Sequence, residues 1–173
     1  MRLLLARHGQ SLWNQVRRFQ GENDVGLSDL GRSQAEALGR AVRVGYQVRT
    51  AYVSPMLRAF DTATIALAGT GIRIVPLPEL RELSLGEWEG CTVEEIRTQP
   101  GDPYAQWVRD PVQCLPPGGE PLADVQARVV QAVERIAVAN CSLSEIAPPR
   151  VVSVNETGHL RDIDVAATAP LSP

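Results

Sequence analysis

The chain has 173 residues, of which 44% are hydrophobic and 21% are charged, and its formal net charge is -3. This length and apolar content suffice for one sizeable hydrophobic core, so we expect a single folded domain. The slight acidity argues against nucleic acid or an anionic membrane surface as the main partner, because proteins that bind such surfaces usually cluster Lys and Arg.

No stretch of the sequence approaches the roughly 20 apolar residues of a membrane-spanning helix, and the apolar run at residues 1–6 is too short for a signal peptide. We therefore expect a cytosolic protein. The three cysteines, Cys91, Cys114 and Cys141, are far apart and form no Cys-x-x-Cys pair. This spacing predicts neither a disulfide framework nor a zinc site.

The first half of the sequence alternates strand and helix patterns. Leu3–Ala6 is a continuous apolar run, typical of a strand that is buried on both faces. A helix is predicted from Ser28, a suitable N-cap, to about Val42. A second strand, a second helix that starts after Pro55, and a third strand follow at Ala51–Ser54, Met56–Leu67 and Ile72–Val75. This alternation favours an α/β layered domain with a mostly parallel sheet, in which ligands bind at the carboxyl ends of the strands.

The second half is less regular. Residues 76–121 are rich in Gly, Pro, Trp and acidic residues. This composition predicts an irregular excursion of the chain that covers a binding site, with a short helix at Val93–Thr98. A strong amphipathic helix is predicted over Leu122–Ala139. Its apolar face is expected to contain Val125, Val129, Val133 and Ile136, and two further strand candidates are Ser142–Ile146 and Val151–Val154. We assign residues 1–165 to the domain and residues 166–173 to a C-terminal tail.

Residues 7–14, Arg-His-Gly-Gln-Ser-Leu-Trp-Asn, directly follow the first predicted strand. A lone histidine is more often structural than catalytic, but here it shares a loop at a strand end with Arg7, Asn14 and a glycine that permits close backbone approach. Further short motifs follow in order: Gln20-Gly21, residues 27–32, Ser54-Pro55 with Arg58, residues 61–63, residues 80–83, residues 86–90 and residues 117–120. Together, over roughly two-thirds of the chain, these motifs closely resemble the histidine phosphatase superfamily, the relatives of phosphoglycerate mutase and acid phosphatase.

The resemblance implies a three-layer α/β/α fold with a mostly parallel sheet and phosphoryl transfer through a phosphohistidine. Such chemistry requires a nucleophile, cations for the phosphate oxygens and a proton donor for the leaving group. By position in the motifs, His8 is the nucleophile, Arg7 and Arg58 form the phosphate clamp, and Glu82 is the general acid and base. Asn14, Gln20 and Gly21 are expected to complete the phosphate pocket, and no metal or cofactor is expected. Three other acidic residues near Glu82 are competing candidates for its role: Glu79, Glu87 and Glu89.

One part of the family pattern is not found. Members carry a second histidine at the end of a later strand, typically within Ser-His-Gly, whereas the two histidines here are His8 and His159. Residues 155–160 resemble the ending of relatives, well past that strand, so His159 is not expected to replace the second histidine. We expect the fold to lack one central strand and its helix, about 30 residues, the size of a βαβ unit. Poor turnover, or none, is the expected consequence.

The expected activity is hydrolysis of a small phosphorylated metabolite. The short chain leaves little material for the loops that would hold a bisphosphorylated intermediate, which favours a phosphatase over a phosphoglycerate mutase-type isomerase. A non-catalytic phosphate-binding or interaction protein, and an internal deletion without an evolved function, are alternatives from other classes. The aromatic residues Trp88, Tyr104 and Trp107 are expected either to contact the leaving group or to form a small core. A homo-oligomer is possible because another chain could fill the gap in the sheet.

Overall fold

The computed structural model describes residues 3–139. This range contains six α-helices and two strands, together with two single turns of 3₁₀ helix at Pro78–Leu80 and Gly86–Trp88. The elements are α1 (Leu12–Gln15), α2 (Asp29–Gly45), β1 (Thr50–Val53), α3 (Leu57–Ala66), β2 (Arg73–Pro76), α4 (Val93–Arg97), α5 (Pro103–Arg109) and α6 (Leu122–Ala139). The predicted strands at 142–146 and 151–154, His159 and the tail from residue 166 lie outside the described residues.

The two strands form a parallel pair, as the alternating pattern predicted. Thr50 lies opposite Arg73 and the register continues to Val53 opposite Pro76. Helix α3 makes the crossover between them and packs on both strands and on α2. The α/β class is therefore confirmed, with a sheet of two strands in the described part of the chain.

Local sequence explains the boundaries of the predicted helices. The hydroxyl of Ser28 accepts a hydrogen bond of 3.1 Å from the Gly31 N–H, so Ser28 is the N-cap of α2. The predicted α6 has the bounds Leu122–Ala139 of the observed helix, and α4 ends one residue before its predicted end at Thr98. Two short helices were not predicted, α1 and α5, and each begins at a side-chain cap from Ser11 or Asp102.

The prediction of a strand at Leu3–Ala6 is wrong. The structure gives this segment no regular hydrogen-bonding pattern, and the side chains of Leu4 and Leu5 are 46% and 91% exposed. Leu3 alone packs against a core cluster. A buried central strand needs neighbours on both sides for its N–H and C=O groups, and no strand in residues 3–139 pairs with this segment.

The predicted apolar face of α6 is also partly wrong. In the part of α6 up to Ile136, the buried positions are Arg128, Ala132 and Ile136, which recur every four residues, whereas Val129 is 37% exposed. Ala132 and Ile136 pack with Leu77 in a core cluster beneath the strands. The hydrophobic pattern missed the true face because an arginine occupies one of its buried positions.

A second core cluster fills the excursion between β2 and α6. Trp88 is 2% exposed and Ile96 is fully buried, with Leu85 beside them. The ring of Trp107 meets that of Trp88 edge-on at 5.8 Å between centroids. The rings of Phe19 and Tyr104 complete the group. The predicted aromatic residues thus form a small core rather than an open wall. No helix within residues 3–139 is long and apolar enough to cross a membrane.

Helix α2 and the loop that carries His8 approach each other with almost no space between their backbones. A Cβ atom added at Gly31 would lie 2.0 Å from the carbonyl oxygen of Gln10, and one added at Gly9 would lie 2.3 Å from the carbonyl oxygen of Gly31. Both distances are far below a normal contact, so only glycine fits at these two positions. The start of α2 is therefore pressed directly against the His8 loop.

Replacing Gly31 by alanine is expected to lower the free energy of unfolding by about 1–3 kcal/mol, because the backbone of Gln10 cannot move aside without disturbing the loop. Gly45→Ala, in the last turn of the same helix, is the matched control, since a Cβ there meets no atom within 4 Å. The control should be neutral or gain up to about 1 kcal/mol, because alanine is the better helix former. Urea unfolding measures both variants, and equal stability of G31A and G45A would contradict the close approach.

Candidate active site

The loop that contains His8 is held from both neighbouring helices. The N–H of Gly9 donates to the hydroxyl of Thr62 on α3 at 3.0 Å, and that hydroxyl donates to the Arg58 carbonyl at 2.7 Å. The N–H of Gln10 donates to Oε1 of Gln34 on α2 at 2.8 Å. All these groups are buried, so the loop has a fixed position although it has no regular secondary structure.

The His8 ring has a defined tautomer. Its Nδ1 lies 2.7 Å from the Gly9 carbonyl oxygen, which can only accept a hydrogen bond, so Nδ1 carries the proton. In the neutral ring the lone pair is then on Nε2. The loop geometry thus leaves Nε2 as the ring nitrogen of His8 whose lone pair is available.

The pKa of His8 is lowered from its ordinary value of 6.5, chiefly because the ring is largely buried and the charged form loses its hydration. The cations of Arg58 and Arg7 lower the pKa further, while the Gly9 carbonyl and the Glu82 carboxylate oppose this effect. At neutral pH the ring is therefore uncharged, with Nε2 available. Arg7, Arg58 and Glu82 are thus the charged residues whose fields act on the His8 ring.

Arg58 is a buried cation at the start of α3, with 1% of its surface exposed. Its guanidinium donates from Nη1 to the Asn23 carbonyl at 2.9 Å and from Nη2 to the Gly21 carbonyl at 2.7 Å. Burial lowers its pKa, and the carboxylates of Glu82, Asp24 and Glu89 act in the opposite direction. The arginine is therefore held by main-chain oxygens rather than by a single carboxylate partner.

Gly21 sits in the left-handed region, with φ +51°, and a Cβ there would collide with Glu89. The Glu89 carboxylate accepts from the N–H groups of Glu22 and Leu85, both at 3.0 Å, and from the Asn23 side chain. Glu89 therefore ties the Gly21 loop to the loop before Trp88. Gln20, adjacent to Gly21, has a buried Oε1 without a hydrogen-bond partner among the described residues.

Arg7 and Asn14 lie at the two ends of the His8 loop. Arg7 is exposed and acts on His8 through its charge. Asn14 uses its Oδ1 to accept from the Ser11 N–H at 3.1 Å, within a reciprocal cap of α1. Because Oδ1 is fixed in this way, the Nδ2 donors of Asn14 point to the other side.

The acidic candidates separate clearly in the structure. Glu89 is engaged as described, and Glu79 pairs with Arg135. Glu82 is exposed, and its carboxylate accepts a hydrogen bond of 3.2 Å from the adjacent Leu83 N–H. Of the four acidic candidates, Glu82 is the one that acts on His8 through its charge. The carboxylates of Glu79 and Glu89 are thus engaged with other partners, and the role of Glu82 stays a prediction.

Arg128 is a residue of the site region that the sequence analysis did not identify. It lies on the buried face of α6, 8% exposed, and donates to the carbonyls of Glu79, Arg81 and Glu82 at 2.9, 2.7 and 3.2 Å. It also forms a two-pronged pair with Glu120, Nε to Oε1 at 2.8 Å and Nη2 to Oε2 at 2.7 Å. Arg128 precedes Ala132 and Ile136 at intervals of four residues, so all three lie on one face of the helix. A charged residue on this otherwise apolar face was the signal that could have revealed it.

The contact between Arg128 and Glu120 lowers the pKa of Glu120. The guanidinium of Arg128 holds the pKa of the Glu120 carboxyl below its usual range, with Arg81 adding to the effect. Arg81 links Glu120 to Glu22 on the Gly21 loop, at 3.1 and 2.5 Å. No group of three or more His, Cys, Asp or Glu residues in the described part of the chain could hold a metal ion.

Residues 3–147 match the family model of the histidine phosphatase superfamily, branch 1. This match covers well over half of the chain. The chain belongs to the histidine phosphatase superfamily.

Relatives in this superfamily include both phosphatases and mutases. Phosphoserine phosphatase 1 of Hydrogenobacter thermophilus is 32% identical over 136 residues, which are 79% of this chain and 64% of that protein. The 2,3-bisphosphoglycerate-dependent phosphoglycerate mutase of Methylobacterium radiotolerans is 36% identical over 132 residues, 74% of this chain and 62% of that protein.

A solved structure confirms the fold. The mycobacterial glucosyl-3-phosphoglycerate phosphatase Rv2419c, in complex with VO3, superposes with a TM-score of 0.68 at 35% identity and covers 76% of this chain and 65% of that one. The chain spans 37% to 64% of the length of the curated relatives that it matches. It therefore corresponds to only a part of those proteins.

The pKa of His8 should be below 6.5 when it is followed by NMR titration of the ring protons, with His8→Gln used to assign its signal. Arg7→Gln should raise this pKa, because it removes a cation that disfavours the imidazolium. Arg40→Gln, which removes an exposed cation of α2 that is not among the groups acting on His8, should leave it unchanged. A wild-type pKa at or above 6.5 would show that the ring is not held as described.

Proposed function

We propose that this chain transfers the phosphoryl group of a small phosphomonoester to Nε2 of His8 and then to water. The observation that carries the proposal is the state of His8 itself: Nδ1 is committed to the Gly9 carbonyl, and burial beside two arginines keeps the ring neutral. A neutral imidazole with a bare Nε2 is a nucleophile at neutral pH without a separate base.

The arginines would hold the phosphate. The described contacts occupy two of the five N–H groups of Arg58, one on each terminal nitrogen, and a guanidinium in such an environment matches two phosphate oxygens at once. Arg7 would add a second cation from the opposite end of the loop, and Nδ2 of Asn14 a neutral donor. Gln20 and Gly21 would act on the phosphate mainly by shaping the loop that holds Arg58.

Glu82 would act as general acid in the first step and as general base in the second. In the first step the Nε2 lone pair forms the N–P bond while the P–O bond to the leaving group breaks, and the leaving oxygen takes the proton of the Glu82 carboxyl. In the second step the Glu82 carboxylate takes a proton from water, the water oxygen attacks phosphorus, and the P–N bond breaks to restore neutral His8 with its Nδ1 proton. Phosphate is released, and atoms and charge balance over the two steps.

Two other functions remain as candidates on specific grounds. Phosphoglycerate mutase-type isomerisation is supported by the mutase among the relatives. Phosphate binding without turnover is supported by the sequence, in which the only histidine besides His8 is His159, within the segment that resembles the family's ending. The substrate class that we propose is the same for all three, a small phosphorylated metabolite.

His8→Ala should abolish formation of phosphohistidine when the protein is incubated with acetyl phosphate and examined by ³¹P NMR and peptide mass spectrometry. His159→Ala is the matched control, and it should keep the label on His8. Label retained in H8A would overturn the proposal. Binding of phosphate by a folded wild-type protein that never becomes labelled would favour the non-catalytic alternative, and release of an isomeric phosphoglycerate from a labelled protein would favour the mutase.

Arg58→Lys should slow the labelling of His8 about 100-fold or more, because an ammonium cannot replace a guanidinium that is held by two carbonyls and directed at phosphate. Arg43→Lys provides a control of the same kind, since Arg43 also donates to a main-chain carbonyl, that of Ala68 at 2.8 Å, but is exposed on α2. Quenched time courses of labelling compare the two, and an equal effect of both substitutions would contradict the assigned role of Arg58.

A further inference from the structure

Arg128 of α6 binds the main chain of the segment that carries Glu82. Arg128 donates to three main-chain carbonyls between residues 79 and 82, and the last of them belongs to Glu82 itself. The single 3₁₀ turn Pro78–Leu80 ends within this segment, and Arg81 and Glu82 beyond it belong to no helix or strand. The guanidinium therefore binds the carbonyls of a segment that regular secondary structure holds only at its start.

The Glu82 side chain depends on this anchor for its position. It is exposed, and its carboxylate is bonded to the N–H of the next residue, Leu83, at 3.2 Å. That bond moves with the segment and does not tie the carboxylate to His8. How closely the Glu82 carboxylate can approach the His8 ring therefore depends on where the main chain of residues 79–82 lies.

Glu120 fixes the guanidinium in turn. Both carboxylate oxygens of Glu120 accept from Arg128, and the side chains are only 9% and 12% exposed for Arg128 and Glu120. A planar fork of this kind defines the orientation of the arginine as well as its distance. A lysine at this position would keep the charge but could not reach three carbonyls and two carboxylate oxygens together.

The same network reaches the phosphate side of the site. Arg81 bonds Glu120 with Nη2 and Glu22 with Nε, and Glu22 lies between Gly21 and Asn23, whose carbonyls hold Arg58. The proposed proton donor and the proposed phosphate clamp are thus connected through Arg81, Glu120 and Arg128. Two of the charged pairs in this connection, Arg81–Glu22 and Arg81–Glu120, join residues that are 59 and 39 positions apart in sequence.

We propose that Arg128, oriented by Glu120, is a positioning residue that holds the main chain of Glu82 so that its carboxyl group reaches the leaving oxygen of a substrate bound at His8. The proposal rests on the proposed function, in which Glu82 is the proton donor. It predicts that loss of Arg128 slows phosphorylation of His8 by substrates whose leaving group must be protonated. The rate with substrates whose leaving group needs no proton should change little.

The test measures single-turnover phosphorylation of His8 with two substrates, an alkyl phosphate, whose alkoxide must be protonated as it leaves, and an aryl phosphate with an activated phenolate leaving group. Arg128→Lys should slow phosphorylation by the alkyl phosphate by about 100-fold, the lower range for loss of a general acid, and should change the aryl reaction little. Glu82→Gln should show the same selectivity. A variant that keeps an arginine at 128, Glu120→Gln, should show it to a smaller extent.

Arg135→Lys is the matched control. Arg135 lies on the same helix, seven residues further on, and pairs with the side chain of Glu79, whereas Arg128 binds main-chain carbonyls of the segment. This control should leave both reactions unchanged. Equal slowing of the two substrates in R128K, with selective slowing in E82Q, would assign Arg128 a purely structural role and overturn the inference. If E82Q slowed the alkyl and the aryl reactions equally, Glu82 would not be the proton donor, and the proposed function itself would be contradicted.

A second readout does not require turnover and separates failure of the inference from failure of the proposed function. The Glu82 carboxylate raises the pKa of His8, so Glu82→Gln should lower the pKa that NMR titration reports. Because R128K keeps the positive charge, it should lower this pKa only by moving the carboxylate away, and it should have no further effect when combined with E82Q. An equal effect of R128K with and without the Glu82 carboxylate, or none at all, would overturn the inference even in a chain that never becomes phosphorylated.

Discussion

The buried guanidinium of Arg58 is the constraint on which the site depends. A cation that is almost fully removed from water must be compensated, and here the compensation comes from the carbonyls of Gly21 and Asn23. Those carbonyls are available only because Gly21 adopts a left-handed conformation and Glu89 clamps the loop. The Thr62 hydroxyl, which bonds the Arg58 carbonyl, then fixes the His8 loop to the same helix.

The arginines have two effects that act in the same direction. Under the proposed function they would bind the phosphate, and by their charge they also disfavour protonation of His8. Under that proposal, a cation-rich phosphate site would keep its own nucleophile neutral. Glu82 works against this effect, since a carboxylate near the ring favours the imidazolium. If Glu82 is the proton donor, the anchoring of residues 79–82 would therefore bear on both the His8 ring and the leaving group.

Elements with local determinants could be predicted from the sequence. Ser28 caps a helix, and the helical spacing of α6 gave its bounds, because caps and periodicity act over a few residues. Leu3–Ala6 was predicted as a strand because it is apolar, but a strand also needs a partner, which a short sequence window does not contain. Arg128 escaped notice for the same reason, since the carbonyls that satisfy it lie about 46 to 49 residues away. The sequence could rank the acidic candidates only by motif position, since the contacts of Glu79 with Arg135 and of Glu89 with Asn23 join residues that are 56 and 66 positions apart.

Both arginines at the centre of this arrangement are held largely by main-chain oxygens. Arg58 binds the carbonyls of Gly21 and Asn23, and Arg128 binds those of Glu79, Arg81 and Glu82. A carbonyl is present whatever the side chain, so alanine scanning at Asn23, Glu79, Arg81 and Glu82 would leave these acceptors in place and would underestimate them. Gly21 is the exception, because a Cβ atom there would collide with Glu89. Apart from Gly21, the arrangement is therefore expected to depend more on the two arginine side chains than on the side chains of the residues whose carbonyls they bind.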